Sequence, residues 1–140
     1  LSLQQCGDQI NAFVDQVGEN HGLGDKDIAF CGFSQGGAAA FQAAFSRAGS
    51  IAAMVAHSAY FPGHLHSHLP GHPKAVNDTP VYLVYGDRDD AIDPQVYMHS
   101  IEQLDQALSD FTYECVSGLA HKLSDRSCKH VSRYLQKYLP

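Results

Sequence analysis

A short glycine-rich turn between an apolar segment and an alanine-rich segment constrains this chain more than any other feature. The turn reads Gly32-Phe33-Ser34-Gln35-Gly36-Gly37. Its setting predicts a strand, a sharp turn with the pattern G-x-S-x-G, and a helix. Gly32 and Gly36 are expected to remove Cβ atoms that would collide in so tight a turn, which leaves the Ser34 hydroxyl exposed at the strand end. The N-terminus of the helix would offer N–H groups and positive dipole to an oxyanion.

Composition indicates one ordinary globular unit. The chain has 140 residues, of which 44% are hydrophobic and 17% charged, so we predict a single domain over residues 1–140. The net charge of −6 argues against nucleic acid as a partner, because no basic stripe is present to neutralise phosphates. No apolar run is long enough for a transmembrane segment.

The spacing of the cysteines indicates the redox state of the cellular compartment in which the protein is found. They are widely spaced and form no C-x-x-C pair, and three of the four fall inside apolar patterns. This favours buried thiols in a reducing compartment, and so a cytoplasmic protein. The four positions are Cys6, Cys31, Cys115 and Cys128.

Segments of strand character alternate with segments of helical periodicity, which is typical of parallel β-α units. We therefore predict an α/β fold with a mostly parallel sheet and helices on both faces, its strands being apolar enough to be covered on both sides. The predicted strands are 28–33, 51–56, 80–85 and 111–116, and the predicted helices are 3–21, 35–47, 95–108 and 125–139. The apolar faces of the first and third helices are predicted to carry Leu3, Cys6, Ile10, Phe13, Val14 and Val17, and Met98, Ile101, Leu104 and Leu108.

The irregular segment 57–79 is long for a compact domain, which suggests a lid or binding loop. It carries His64, His66, His68 and His72, and imidazole suits zinc. No cysteine or carboxylate lies nearby, and several prolines and glycines interrupt the segment, so a solvated loop is favoured over a metal site. The apolar residues Tyr60, Phe61 and Leu65 could line a cleft for an acyl chain or anchor the loop on the sheet.

Chemically competent side chains follow three of the predicted strands. Ser34, Asp89 and His121 each come shortly after a strand, and the carboxyl ends of parallel strands lie along one edge of a sheet. We assign Ser34 as nucleophile, His121 as general base and then general acid, and Asp89 as the acid that orients the imidazole. The N–H of Gln35 would donate to the oxyanion. Three other carboxylates compete with Asp89: Asp87 and Asp90 could be turn or solvent-facing residues, and Asp93 could cap the next helix.

Three segments give the chain a family resemblance. The runs GFSQGG, LVYGDRDDAIDP and SGLAHKLSD resemble the carboxylesterase, phospholipase and acyl-protein thioesterase group of α/β-hydrolases, and especially its small bacterial esterases. The resemblance puts Ser34, Asp89 and His121 in the catalytic positions. It implies hydrolysis of a small-molecule carboxylic ester or thioester through an acyl-serine intermediate, without a metal or organic cofactor.

Two departures from the family pattern affect this reading. Asp93 stands between Ile92 and Pro94 where the group usually has no residue, and no H-G-x-G loop precedes Ser34. We therefore expect the chain to be the C-terminal portion of the fold, without the N-terminal strands, either as part of a longer protein or as a truncated product. A non-catalytic binding module that keeps the sheet and the turn is the alternative. Acyl length and oligomeric state are left open.

Overall fold

Four helices and four strands make up the regular structure of the described part of the chain. The computed structural model describes residues 1–72 and 77–140. The elements are α1 (Leu3–His21), β1 (Ala29–Phe33), α2 (Gln35–Phe45), β2 (Ala53–His57), β3 (Val81–Gly86), α3 (Pro94–Ala107), β4 (Phe111–Val116) and α4 (Asp125–Leu135), with short 3₁₀ helices at Asp25–Asp27 and Gly63–His68.

The strands form one parallel sheet in the order β1-β2-β3-β4. Phe33 at the end of β1 pairs with His57 at the end of β2, and Gly86 at the end of β3 pairs with Val116 at the end of β4. The loops that follow the four strands therefore leave the sheet along the same edge. The predicted α/β class with a parallel sheet is confirmed.

Helices cover both faces of the sheet, as predicted. One face packs against α1, α2 and α3, and the other packs against α4. The first core includes Phe30, Phe41, Phe45, Met54, Leu83, Ile101 and Leu104, and the second includes Ala53, Val55, Tyr82, Val84, Val116, Leu119 and Tyr134.

The outer strands are less covered than their apolar sequences suggested. Every residue of β2 is buried, whereas Thr112, Tyr113, Glu114 and Cys115 of β4 are exposed, because β4 lies at an edge of the sheet that residues 1–72 and 77–140 form. The prediction of three buried thiols is wrong for the same reason, since Cys31 and Cys115 lie on edge strands. Cys128 is exposed on α4, and Cys6 is half-buried.

Two predicted helix faces are correct except for one residue each. In α3 the residue that packs inward is Tyr97, and Met98 is 52% exposed. The spacing of Tyr97 to Ile101, Leu104 and Leu108 fits one face of a helix equally well. In α1, Ile10 and Val14 pack against the core, whereas Phe13 is 67% exposed.

The long connection from β2 to β3 is fixed by apolar anchors on both sides of its 3₁₀ helix. Phe61, Leu65 and Leu69 are buried in the core below α2 and α3, which settles the two open readings of Phe61 and Leu65 in favour of anchors. Tyr60 is 41% exposed and faces outward. Residues 73–76 of this predicted lid segment lie outside the described residues.

Two of the four loop histidines form hydrogen bonds to α2. His64 bonds to the side chain of Gln42, and Nδ1 of His68 lies 3.0 Å from the carbonyl oxygen of Phe45. Within residues 1–72 and 77–140, no cluster of histidine, cysteine and carboxylate side chains is arranged to hold a metal ion. Among residues 1–72 and 77–140, each helix is either too short or too polar to span a bilayer.

Candidate active site

The turn between β1 and α2 holds Ser34 in a strained backbone conformation. Its φ is 55° and its ψ is −122°, a region that non-glycine residues rarely occupy and that is typical of functional sites. The turn is fixed to the next strand, because the N–H of Ser34 donates to the carbonyl oxygen of His57 at 2.9 Å. Gly37 N–H donates back to the carbonyl oxygen of Ser34 at 2.9 Å and closes the turn.

Packing requires glycine at two positions of this turn, Gly32 and Gly37, and only Gly32 is one of the two predicted positions. A Cβ at Gly32 would lie 2.2 Å from the carbonyl oxygen of Gly36, so only glycine fits there. A Cβ at Gly36 would have no described atom within 4 Å, and the prediction for this position is wrong. Gly37 is the second glycine that packing requires, because a Cβ there would lie 2.4 Å from the Cβ of Ala59.

The loops after β3 and β4 are joined to one another. A Cβ at Gly86 would lie 1.9 Å from the carbonyl oxygen of Leu119, so the two loops approach as closely as backbones can. The same oxygen accepts the N–H of Arg88 at 3.0 Å, and the carboxylate of Asp87 accepts the N–H of Gly118 at 2.7 Å. These contacts fix the position of the Asp89 loop relative to the His121 loop.

Four hydrogen bonds converge on the carboxylate of Asp89, whose side chain is 2% exposed. Oδ1 accepts the N–H groups of Ala91 and Ile92, each at 2.9 Å. Oδ2 accepts the hydroxyl of Tyr97 at 2.6 Å and Nδ1 of His121 at 2.8 Å. Burial acts to raise the pKa of Asp89, but these hydrogen bonds outweigh it and lower that pKa to about 2. Asp89 is therefore a carboxylate at any physiological pH.

His121 joins Asp89 to Ser34. Its Nε2 lies 2.9 Å from Oγ of Ser34, and its Nδ1 lies 2.8 Å from Oδ2 of Asp89. The ring packs against Phe33, with centroids 5.1 Å apart, and the imidazole is 17% exposed. A hydroxyl, an imidazole and a carboxylate thus lie in line at the edge of the sheet, with Ser34 itself partly exposed. This arrangement can move a proton from the hydroxyl to the imidazole.

The neighbouring carboxylates have structural contacts. Asp93 caps α3 by accepting the N–H of Gln95 at 2.8 Å, and Asp87 joins the two loops. Asp90 is exposed. Gln35 is the first residue of α2 and directly follows Ser34, so its N–H is one of those that a helix leaves without an intrahelical acceptor.

A second serine–histidine pair lies behind this site. Nε2 of His57 is 2.8 Å from Oγ of Ser127, but Ser127 is fully buried and His57 is 2% exposed. Ser127 also takes part in the cap of α4, where its N–H donates to Oγ of Ser124 at 3.0 Å. A substrate could not reach this hydroxyl, so the pair is not a candidate nucleophile and base.

Two residues near the site, Tyr97 and Ser58, were missed by sequence reasoning. Tyr97 was overlooked because the prediction put Met98 on the inward face of α3. The spacing of residues 97, 101, 104 and 108 fits an inward helix face equally well. Ser58 directly follows β2, at the sheet edge where Ser34 lies, and that position was the only available signal. Its approach to Tyr97 brings together residues far apart in the sequence.

The parallel sheet with helices on both faces and a nucleophile-type turn after β1 define the class of the protein as an α/β-hydrolase fold. The chain belongs to the phospholipase/carboxylesterase family, whose model matches residues 2–139.

Solved structures support the same fold at low sequence identity. SOBER1 of Arabidopsis thaliana superposes with a TM-score of 0.84 at 20% identity, over 99% of this chain and 65% of that one. Esterase PE8 superposes with a TM-score of 0.80 at 22% identity, over 93% of this chain and 59% of that one. Acyl-protein thioesterase 2 of Zea mays superposes with a TM-score of 0.71 at 18% identity, over 96% of this chain and 66% of that one. The chain spans about three fifths to two thirds of the length of these proteins.

Proposed function

We propose that this protein is a serine hydrolase that cleaves carboxylic esters or thioesters through an acyl-serine intermediate. The observation that carries the proposal is the alignment of Ser34 Oγ, the His121 imidazole and the Asp89 carboxylate, with contacts of 2.9 and 2.8 Å. Membership of the phospholipase/carboxylesterase family supports it independently.

The geometry supports the following first half-reaction. Nε2 of His121 takes the hydroxyl proton while Oγ of Ser34 attacks the carbonyl carbon of the substrate. The carbonyl oxygen becomes an oxyanion, which the N–H of Gln35 at the start of α2 stabilises together with the helix dipole. His121 then gives its proton to the leaving alcohol or thiol, and the acyl group stays on Ser34.

Water completes the reaction by the reverse proton path. His121 takes a proton from water, the resulting hydroxide attacks the acyl carbon, and the proton returns to Oγ of Ser34 as the acid leaves. Asp89 does not carry the proton. Its low pKa keeps it charged, so it holds the hydrogen of the imidazole on Nδ1 and stabilises the imidazolium.

The proposed substrate is a small-molecule ester or acyl compound. Solved structures of similar fold include an esterase and an acyl-protein thioesterase, which supports the ester and thioester classes without separating them. The cytoplasmic location stays our prediction, and it is supported by four cysteines that form no disulfide.

A fluorophosphonate probe tests the proposal, because it reacts only with an activated serine. We expect the protein to be labelled and Ser34→Ala to abolish labelling. Ser132→Ala, at an exposed serine of α4, is the matched control and should label like the parent. Turnover of p-nitrophenyl esters of graded acyl length, compared with the matching thioesters, then defines the substrate. Absence of Ser34-dependent labelling in a protein that unfolds cooperatively would contradict the enzyme proposal.

A non-catalytic binding module is the second candidate. It is favoured by the edge of β1, which has no partner strand among residues 1–72 and 77–140, because a free edge can pair with another chain. This candidate predicts no labelling of Ser34 and a change of β1 amide signals on addition of a partner strand.

A further inference from the structure

A buried polar chain extends from the acid of the proposed site to the opposite face of the sheet. It runs from Asp89 through Tyr97, Ser58 and His57 to Ser127, and each of the last four residues is at most 2% exposed. Its links are Tyr97 Oη to Asp89 Oδ2 at 2.6 Å, the approach of the Ser58 side chain to the Tyr97 hydroxyl, Ser58 Oγ to His57 Nδ1 at 2.9 Å, and His57 Nε2 to Ser127 Oγ at 2.8 Å.

The hydroxyl of Tyr97 is the donor at the Asp89 end of this chain. Burial, and secondarily the charge interaction with His121, lower the pKa of His57, so its ring is neutral and has one donor and one acceptor nitrogen. The hydroxyls of Ser58 and Ser127 occupy these two nitrogens. At the far end of the chain, the hydroxyl of Ser127 donates to the carbonyl oxygen of Ser124 at 3.1 Å.

Three further contacts limit the freedom of this chain. The ring of Tyr97 stacks on Tyr85 with centroids 4.3 Å apart. Ser58 is held at a φ of 53°, and its N–H donates to the carbonyl oxygen of Val84 at 2.8 Å. The ring of Phe33 lies 5.6 Å from that of His57 and 5.1 Å from that of His121. The hydroxyl of Tyr97 thus reaches Asp89 from a rigid support.

We propose that Tyr97 is a positioning residue that orients Asp89 toward His121, and that the buried chain behind it fixes the Tyr97 hydroxyl. The inference rests on the proposed function for its catalytic consequence. Tyr97 and His121 donate to the same oxygen of Asp89, so each hydrogen bond limits the share of negative charge available to the other. Tyr97 therefore fixes the carboxylate and also moderates how strongly it favours the protonated form of His121.

Tyr97→Phe tests the proposal, because it keeps the stacked ring and removes only the hydroxyl. With a p-nitrophenyl ester, we expect kcat to fall roughly 3- to 10-fold, as the loss of one positioning hydrogen bond implies, with KM unchanged within about twofold. The acidic limb of the kcat/KM profile should move to higher pH, since Asp89 then stabilises the imidazolium more. Tyr85→Phe removes a hydroxyl from the other ring of the stack and should leave this limb in place.

A spectroscopic readout separates failure of this inference from failure of the proposed function. The proton between His121 and Asp89 should give a downfield NMR resonance that Asp89→Asn abolishes, whether or not the protein turns over substrate. We expect Tyr97→Phe to shift that resonance and Tyr85→Phe not to. If Tyr97→Phe does not fold, Ser58→Ala is expected to shift it in the same direction by less. An unmoved resonance in a folded variant overturns the positioning role, and absent turnover with a shifted resonance overturns only the hydrolase function.

Discussion

The hydroxyl of Tyr97 and Nδ1 of His121 share one acceptor, Oδ2 of Asp89, at 2.6 and 2.8 Å. The other oxygen of Asp89 is occupied by two backbone N–H groups of its own loop. Each oxygen of the carboxylate therefore accepts two hydrogen bonds. Two measurable properties depend on this arrangement, the stability of the fold in acid and the rate of the proposed reaction.

Stability in acid should report the hydrogen bonds of Asp89. Lowering its pKa from 3.8 to about 2 corresponds to about 2 kcal/mol of folding free energy at neutral pH. For a group whose pKa is depressed in the folded state, this contribution is complete above the unfolded value and is lost as the pH falls from about 4 to about 2. Urea unfolding at successive pH values measures it.

Tyr97→Phe should reduce this loss, because it removes one of the donors that lower the pKa of Asp89. Tyr85→Phe should leave it as in the parent. The expectation would be contradicted by equal losses of unfolding free energy between pH 4 and pH 2 in the parent and in Tyr97→Phe.

The charge of Asp89 should matter more to the rate than to binding. Asp89→Asn keeps the size of the side chain, but its amide favours the wrong tautomer of His121, so kcat should fall by about 10³- to 10⁴-fold. KM should change little, because Asp89 is buried behind the imidazole. Asp90→Asn, at the exposed neighbouring position, is the matched control and should keep the parent rate. An equal fall of kcat in both variants would contradict the assignment of Asp89 as the acid of the site.

The main lines of the fold could be predicted because they depend on local periodicity. The four strands, the four helices and their alternation follow from apolar spacing and from the glycines of the turn. The parallel topology then explains why side chains as distant in sequence as Ser34 and His121 lie at one edge. The N-cap role of Asp93 was also predictable, because it depends on the neighbouring Pro94 alone.

Features that depend on tertiary contacts between distant segments could not be predicted. Tyr97 and Met98 both fit the apolar face of a helix, and Tyr97 is the one that turns inward, where it contacts Tyr85 and Asp89. The contact between His57 and Ser127 spans 70 residues of sequence and joins β2 to α4, so no local pattern indicates it. Cys31 lies in an apolar run, yet its strand is at the edge of the described sheet, and its thiol is exposed.

Burial of His57 should give the protein a second pH-dependent loss of stability, above the range of Asp89. Its folded pKa is below the usual histidine value of 6.5, so the unfolded state binds more protons once the pH falls below about 6.5. The contribution is complete above that pH and declines below it, by at most about 1.4 kcal/mol per pH unit. His57→Leu should flatten the unfolding free energy between pH 7 and pH 5, and His66→Leu, at an exposed histidine, should not. Parallel curves for the parent and His57→Leu would contradict this.

The nucleophile turn should tolerate a methyl group at one of its outer glycines and not at the other. A Cβ at Gly32 would lie 2.2 Å from the carbonyl oxygen of Gly36, which belongs to the backbone and cannot rotate away. We expect Gly32→Ala to lower the unfolding free energy by about 3 kcal/mol or more, since the turn must shift and overpacking is added to backbone strain. Thermal and urea unfolding measure the loss.

Gly36→Ala is the matched comparison, because the residue lies in α2 and its Cβ would meet no described atom within 4 Å. Alanine has the higher helix propensity, so the expected change is between zero and a gain of about 1 kcal/mol. Fluorophosphonate labelling of Gly32→Ala should be lost even under conditions where the variant remains folded, because the shift moves Oγ of Ser34 away from Nε2 of His121. Similar stabilities of Gly32→Ala and Gly36→Ala would show that the turn relaxes more easily than this close backbone contact implies.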